Sequence, residues 1–239
     1  YAQWQRNWFE AGEKDRQLNY WRGRLGDEHA PLDLPFDRSR GTPRDTQSDA
    51  AAGRHAFALP AEVTAALRAL AREQGASLFM VMLALFKLVL CRYSGQADIR
   101  VGAPVANRQR AETHGMLGYL TNVLVLRTQV DLSASFADLL GAVRDTVLDA
   151  HASPDLPFDM LVETLQPERQ PGVHPLFQAK CTQQDDLPAV WRLPDLDVRI
   201  ESLSAGDAHF DISLDFIDKA GGVEAVLVYS QALFDAASI

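Results

Sequence analysis

The sequence predicts an α+β fold, a two-layer sandwich in which a mixed sheet is flanked by helices. Three observations carry that expectation. An apolar run of helical length, Leu78 to Cys91, stands near the middle of the chain, and segments rich in β-branched residues and leucine follow it. Helical and strand patterns are then mixed without strict strand–helix–strand alternation. The 239 residues are 47% hydrophobic and 23% charged, enough apolar material for a core and too little polarity for disorder.

Tyr1-Ala-Gln-Trp-Gln-Arg already has helical character, and a chain opening on Tyr is expected to be cut from something longer. Residues 37 to 55 (DRSRGTPRDTQSDAAAGRH) contain Gly, Pro and Thr but no Leu and no aromatic residue, the composition of an exposed connection. A helix is expected from Ala61 to Gln74, after Pro60 and before Gly75, with Leu67 and Leu70 on one face. Ser77 can cap the next helix, LFMVMLALFKLVLC, which only Lys87 interrupts. Its 14 apolar-run residues fall short of the roughly 20 needed to span a bilayer, so it reads as a buried core helix.

Asp98–Val105 and Val123–Val130 read as strands. Ser135 can cap a helix whose Phe136, Leu139, Leu140, Val143 and Val147 recur at the 3.6 period. A short helix follows Pro157, with Leu161, Val162 and Leu165 inward. Strands are expected near 176–183, 195–203, 209–217 and 223–230. In the third of these Phe210, Ile212, Leu214 and Phe216 alternate with Asp211, Ser213 and Asp215. Gly221-Gly222 marks a hairpin, read here with a loop longer than two residues.

Charge and residue chemistry exclude more than they assign. Lys plus Arg number 23 against 32 Asp plus Glu, a net charge of −9, with no clustered basic patch for a nucleic-acid or membrane partner. No basic segment followed by an apolar run appears, and the compartment expected is the cytoplasm. Cys91 and Cys181 form no CxxC and read as small buried hydrophobes. Two HxxxD strings, His29…Asp33 and His151…Asp155, have the spacing of a base held by its carboxylate, yet both contain Pro and read as surface or capping residues. Asp185-Asp186 and Asp207, Asp211 and Asp215 read as solvated faces or turns, and no metal site is expected. GxSxG, HExxH, P-loop and GxGxxG patterns are missing. Residue chemistry alone stops at an α+β domain.

Nine segments, in order and over nearly the whole chain, resemble the condensation domain of nonribosomal peptide synthetases, in the chloramphenicol-acetyltransferase-like superfamily. Tyr1-Ala-Gln-Trp4-Gln5 is similar to the end of YxDYAxWQ, and Tyr20-Trp21 through Leu25 to YWxxxL. Leu34-Pro35-Phe-Asp37-Arg38 resembles LPtDRpRP, and Gly95 through Arg108 resembles GqdDixvGtPvanR. Leu117-Gly118-Tyr119-Leu-Thr-Asn122 resembles (I/V)GxFxNT, Asp155-Leu-Pro157-Phe158-Asp159 resembles DxPFE, and His174-Pro175-Leu176-Phe177-Gln178 resembles NPLFQ. Phe210-Asp211 through Leu214 and Tyr229 through Asp235 resemble the closing FDLsL and YstdLFd. Ser153-Pro154 stand where the family has His-Gln or Asn-Gln, the RDxSRNPL region reads Arg169-Gln-Pro-Gly-Val173-His174-Pro-Leu, and the family's Asn-Thr is Asn122-Val123 here. These departures leave the substrate subtype open and are compatible with a polyketide acyl donor.

The family's HHxxxDG does not occur here. The resemblance therefore implies the C-terminal half of a condensation domain, one lobe of the fold. Residues 1–50 would be a helical tail of the N-terminal lobe plus the interlobe connection, and 51–239 the C-terminal lobe. It implies acyltransferase chemistry, amide (or ester) formation between carrier-bound donor thioester and acceptor amine, in secondary metabolism such as antibiotic biosynthesis. No catalytic residue is expected in this chain, and the isolated segment is expected to be inactive. Arg108 would pair across the lobes with the Asp of HHxxxDG; without it, Arg108 is expected to face solvent or find another acid. Gly118, Tyr119 and Asn122 would border the cleft, and Pro157 and Phe158 would pack in the core. No cofactor is expected to bind directly, phosphopantetheine arms serving as substrate carriers. The implied partners are the N-terminal lobe, upstream and downstream carrier proteins and an adjoining adenylation domain. The other readings are an epimerization domain of the same superfamily and a non-catalytic lobe that docks a carrier.

Overall fold

A computed structural model describes residues 1–40, 51–168, 170–186, 190–193, 195–199 and 206–239. The chain divides into two units, Tyr1–Pro35 with Ala71–Cys181 and Phe36–Leu70 with Thr182–Ile239.

In the first unit, Ser77 Oγ accepts the Met80 amide at 3.2 Å and starts the core helix α4 (Leu78–Ser94), after α1 (Ala2–Trp8) and α2 (Lys14–Leu25); α3 (Ala61–Glu73) lies mostly in the second unit. The helix runs on past Cys91 until Gly95, whose φ of 70° supplies the left-handed cap that ends it. It packs on α6 (Phe136–His151) and on β2 (Asp98–Val105). Val81, Leu83, Ala84 and Leu90 are buried there, each large aliphatic side chain worth about 1.5–3 kcal/mol. Ser135 caps α6 as expected, and with Asp138 it forms a reciprocal capping box.

Strand β2 pairs antiparallel with β3 (Asn122–Gln129) and in parallel with β4 (Ala179–Gln184), so the sheet is mixed. The pleat sends alternate β3 side chains to opposite faces. Thr128 Oγ1 lies 3.2 Å from Thr146 Oγ1 of α6, whereas Arg127 reaches the carbonyl ends of α2. Helices α2 and α7 (Phe158–Leu165) contact each other, and α7 contacts β3. Between α1 and α2 the helical path kinks at Gly12, where φ is 100°.

The second unit is an antiparallel sheet in the order β1-β8-β7, with β1 at Ala52–Leu59, β7 at Ile212–Lys219 and β8 at Gly222–Ser230. The same unit contains a separate two-stranded hairpin, β5 (Val190–Leu193) with β6 (Leu196–Arg199). Thr64 Oγ1 accepts the Val223 amide at 3.1 Å and ties α3 to the start of β8. Gly53 is required by close packing, since a Cβ there would overlap the Tyr229 ring.

The fold class is the one expected; several local expectations are corrected. Residues 52–55, read as connection, belong to β1, whose small and charged residues have weak strand preference and are held by the ladder to β8. Residues 41–50 of that expected connection lie outside the described residues. Leu176–Gln178 precede β4, because Leu176 adopts φ of 66°. The single strand expected at 195–203 is replaced by the β5–β6 hairpin, and 200–203 lie outside the described residues. The β7–β8 turn holds two residues, Ala220 and Gly221, since Lys219 pairs with Gly222. Asp211, read as solvated, is 5% exposed, and the Arg40 fork donates to both of its oxygens, Nη1 to Oδ1 at 2.9 Å. Cys91 and Cys181 are buried and in no disulfide, as read. Among the described residues no single helix is long and apolar enough to cross a membrane.

Candidate functional site

Within the first unit, the residues singled out by the sequence meet around the loop between β2 and β3. The chain leaves β2 at Val105 and turns through Asn107, whose φ of 52° is one that Asn tolerates better than most residues. Asn107 Nδ2 donates to Tyr1 Oη at 3.0 Å, and the Arg110 guanidinium lies 3.7 Å from the centre of the Trp4 ring. The short helix α5 (Ala111–His114) follows, with Thr113 buried.

Arg108 organises what comes next. Its Nη1 donates to the carbonyls of Thr113 and Met116, the latter at 2.9 Å, and Nη2 donates to the Gly118 carbonyl at 3.1 Å. Arg108 is half-buried; among the described residues its charge meets backbone carbonyls and no acid. Carbonyls replace the carboxylate because the loop backbone between α5 and β3 has no ladder to satisfy it. Three of the five guanidinium hydrogens are used. The clamped segment holds Leu117 fully exposed and Tyr119 88% exposed. Gly118, between them, has φ of 152° and open space around its Cα.

Asn122 is buried, and its carboxamide is fully committed to backbone. Nδ2 donates to the carbonyls of Pro154 and Leu156, each at 2.8 Å, while Oδ1 accepts the Phe158 amide at 3.0 Å. It is a clip that holds the 154–158 loop and the start of α7 against β3. Sequence reasoning missed the helper on the other side of that loop. Gln17 Oε1 accepts the amides of Asp155 and Leu156 at 3.1 and 2.9 Å, and Trp21 Nε1 donates to the Ser153 carbonyl at 3.1 Å. Burial raises the Asp155 carboxyl above its usual range, against the pull of the Gln17 hydrogen bond and nearby Arg110. Phe158 packs against His174 and Phe177, and Pro157 stands at the N-cap of α7. Gly102 is needed beneath this cluster, because a Cβ there would overlap the Phe177 ring.

Neither HxxxD string builds a histidine–carboxylate pair. His29 Nδ1 accepts from Arg100 Nη1 at 2.7 Å, which leaves the proton of the neutral ring on Nε2. Burial, then the charges of Arg100 and Arg127, hold its pKa below the usual value. The Asp155 carboxylate of the second string accepts from Gln17 Nε2 at 3.4 Å. A pocket of about 330 Å³ beside His29 is lined mainly by Pro31, Val162, Pro167, Val173 and Pro175, with His174. Among the described residues no group of three or more His, Cys, Asp or Glu is placed to hold a metal. Arg169 lies outside the described residues. What the arrangement offers is a hydrogen-bonded loop edge bearing Leu117, Gly118 and Tyr119, backed by the buried Asn122 and Gln17.

A family model described as "Condensation domain" matches residues 1–239. One of the linear gramicidin synthase proteins of Brevibacillus parabrevis is 42% identical over 246 residues, covering 100% of this chain and 3% of that protein. Malpibaldin synthetase of Mortierella alpina is 38% identical over 239 residues, covering 100% and 4%. The chain thus spans a small part of the length of these relatives. Among solved structures, the X-domain from teicoplanin biosynthesis superposes with a TM-score of 0.86 at 22% identity, over 100% of this chain and 55% of that one.

Proposed function

Because the chain belongs to the condensation-domain family, we propose that it is the C-terminal portion of a condensation domain, joining a carrier-bound donor acyl or peptidyl thioester to a carrier-bound acceptor amine. Residues 1–50 then supply the helical tail of the N-terminal lobe and the interlobe connection, and 51–239 the C-terminal lobe. In the reaction the amine nitrogen forms a bond to the thioester carbonyl carbon and the carbon–sulfur bond breaks. The donor carrier's thiol leaves, and the nitrogen gives up a proton. An amine at its free pKa is protonated near neutral pH, so a base is needed, and the two reactants must be brought to bonding distance. The base is the HHxxxDG histidine, which is not in these 239 residues. This chain contributes one wall of the cleft, with Gly118 and Tyr119 bordering it and Asn122 holding the loop behind.

The observation that carries this reading is the state of Arg108. Its Nε–H and one Nη2–H make no hydrogen bond among the described residues, and that edge of a guanidinium is one a carboxylate meets with two oxygens. The Asp of HHxxxDG on the N-terminal lobe is the proposed occupant, which makes Arg108 an interlobe fastener. Phosphopantetheine arms of upstream and downstream carrier proteins bring the reactants, an adenylation domain adjoins, and the setting is the cytoplasm.

The test combines donor- and acceptor-loaded carrier proteins with the chain alone, and with the chain joined to an N-terminal lobe bearing HHxxxDG. Amide is expected only from the joined protein, and Arg108→Ala is expected to lower its yield at least tenfold, the scale of one charge-assisted pair. Amide formed by the 239 residues alone would overturn the placement of the base.

A further inference from the structure

Lys87, the one charge in the apolar run of α4, is fully buried, and its hydrogen bonds lead to a surface pocket. Lys87 Nζ donates to the Leu126 carbonyl at 2.6 Å, the Ile99 carbonyl at 3.3 Å and Thr128 Oγ1 at 2.8 Å. Thr128 Oγ1 lies 3.2 Å from Thr146 Oγ1, which accepts from Arg24 Nη2 at 2.6 Å. Arg24, Arg127, Thr128, Gln129, Ala142 and Thr146, with Asp145, line an open pocket of about 540 Å³ along β3, the outer strand of the first unit's ladder.

Donors in this pocket outnumber acceptors. Arg24 Nε is buried and has no partner among the described residues, and Arg24 Nη1 makes no hydrogen bond there either. Arg127 uses Nε on Asp98 at 2.9 Å and Nη1 on the Arg24 and Leu25 carbonyls, which leaves Nη2 without a protein acceptor among the described residues. Neither nearby acid, Asp145 or Asp98, hydrogen-bonds Arg24 among the described residues, and the Asp145 bonds to Arg144 use Oδ1 alone. Asp145 accepts from Arg144 Nε and Nη2 at 3.1 and 3.0 Å, and Asp98 is shared between Arg127 and Arg100. An unpaired buried guanidinium hydrogen is costly, and two guanidinium groups on different elements address an oxyanion from two directions.

We propose that this pocket binds a phosphoryl oxyanion, held by the guanidinium groups of Arg24 and Arg127. A tetrahedral phosphoryl group has enough acceptor oxygens for both forks, whereas a carboxylate presents one planar pair. The site involves no residue of the proposed cleft and stands whether or not the condensation reading is correct.

The test follows the arginine Nε–H resonances of the 239-residue chain by NMR during titration, at constant ionic strength, with inorganic phosphate and separately with dimethyl phosphate. Saturable shifts at Arg24 and Arg127 with phosphate alone assign the site to free or terminal phosphate. Saturation by both assigns it to phosphodiesters as well. Arg24→Gln is expected to weaken binding about tenfold or more. Asp145→Asn, at an exposed position, is expected to tighten it about two- to fivefold by removing a like charge. Shifts with neither anion, or equal affinity in both variants and the unaltered chain, would overturn the proposal.

Discussion

Replacing Lys87 with Met should convert a pH-dependent stability into a flatter one. The ammonium is wholly enclosed, and burial, with a smaller contribution from Arg24, lowers its pKa from 10.5 to about 7. The nearby Asp98 charge opposes the shift but does not cancel it. A folded-state pKa below the unfolded one means that the unfolded chain holds the extra proton between about pH 7 and 10.5, so stability rises with pH across that window. Below about pH 7 both states are protonated and the full penalty, about 5 kcal/mol at 1.36 kcal/mol per unit, is felt. Between about pH 6.5 and 9.5 the expected gain is about 3 kcal/mol, the remainder falling at higher pH. Met keeps the unbranched shape and cannot titrate. Urea unfolding of both proteins at matched pH values, followed by tryptophan fluorescence, gives the difference, in which other titrations cancel. The stability of the Lys87 chain relative to Lys87→Met should climb by about 3 kcal/mol over that range. A difference constant to within about 0.5 kcal/mol would refute the argument.

Three further outcomes are expected. Asn122→Ala strands two carbonyls and an amide that the buried carboxamide now satisfies; unfolding free energy should fall by about 2–4 kcal/mol, measured by denaturant titration. Gly102→Ala forces a methyl into the Phe177 ring, and a loss of about 1–3 kcal/mol is expected in thermal melts. Tyr119→Ser removes an exposed ring with no core role, so melting should stay within about 0.5 kcal/mol of the parent. In the joined protein it should still slow amide formation, and unchanged turnover would remove Tyr119 from the cleft.

Much of the fold was legible in local chemistry. Ser77 and Ser135 each precede an apolar helical pattern, and both cap as a serine oxygen next to free amides should. Asp98–Val105 was read to the residue, with β-branched Ile99, Val101 and Val105 carrying the strand preference. β1 was not legible, since Ala, Gly, Arg and His have little strand preference and the partner strand lies more than 160 residues later, at Val223–Ser230. The candidate site divides in the same way. Arg108, Gly118 and Asn122 could be picked out by resemblance, but their acceptors are carbonyl groups, and carbonyls leave no mark in a residue pattern. Gln17 and Trp21 were invisible as site residues because their partners, Ser153 to Leu156, are supplied by a distant loop.

By itself the sequence determined the kinds of element present, the helix that must be buried, the family and the lack of a motif base within these residues. Those properties follow from side-chain periodicity, capping and short-range spacing, which act over a few bonds. Tertiary structure alone decided what each polar group meets. It gave the Arg108 charge three carbonyls, spent the Asn122 amide on backbone, and turned the single lysine of an apolar helix into the inner end of a hydroxyl chain leading to two arginines. Hydrogen-bond partners are fixed by the folding back of remote segments, and in a water-excluding interior each donor must take whichever acceptor that folding delivers.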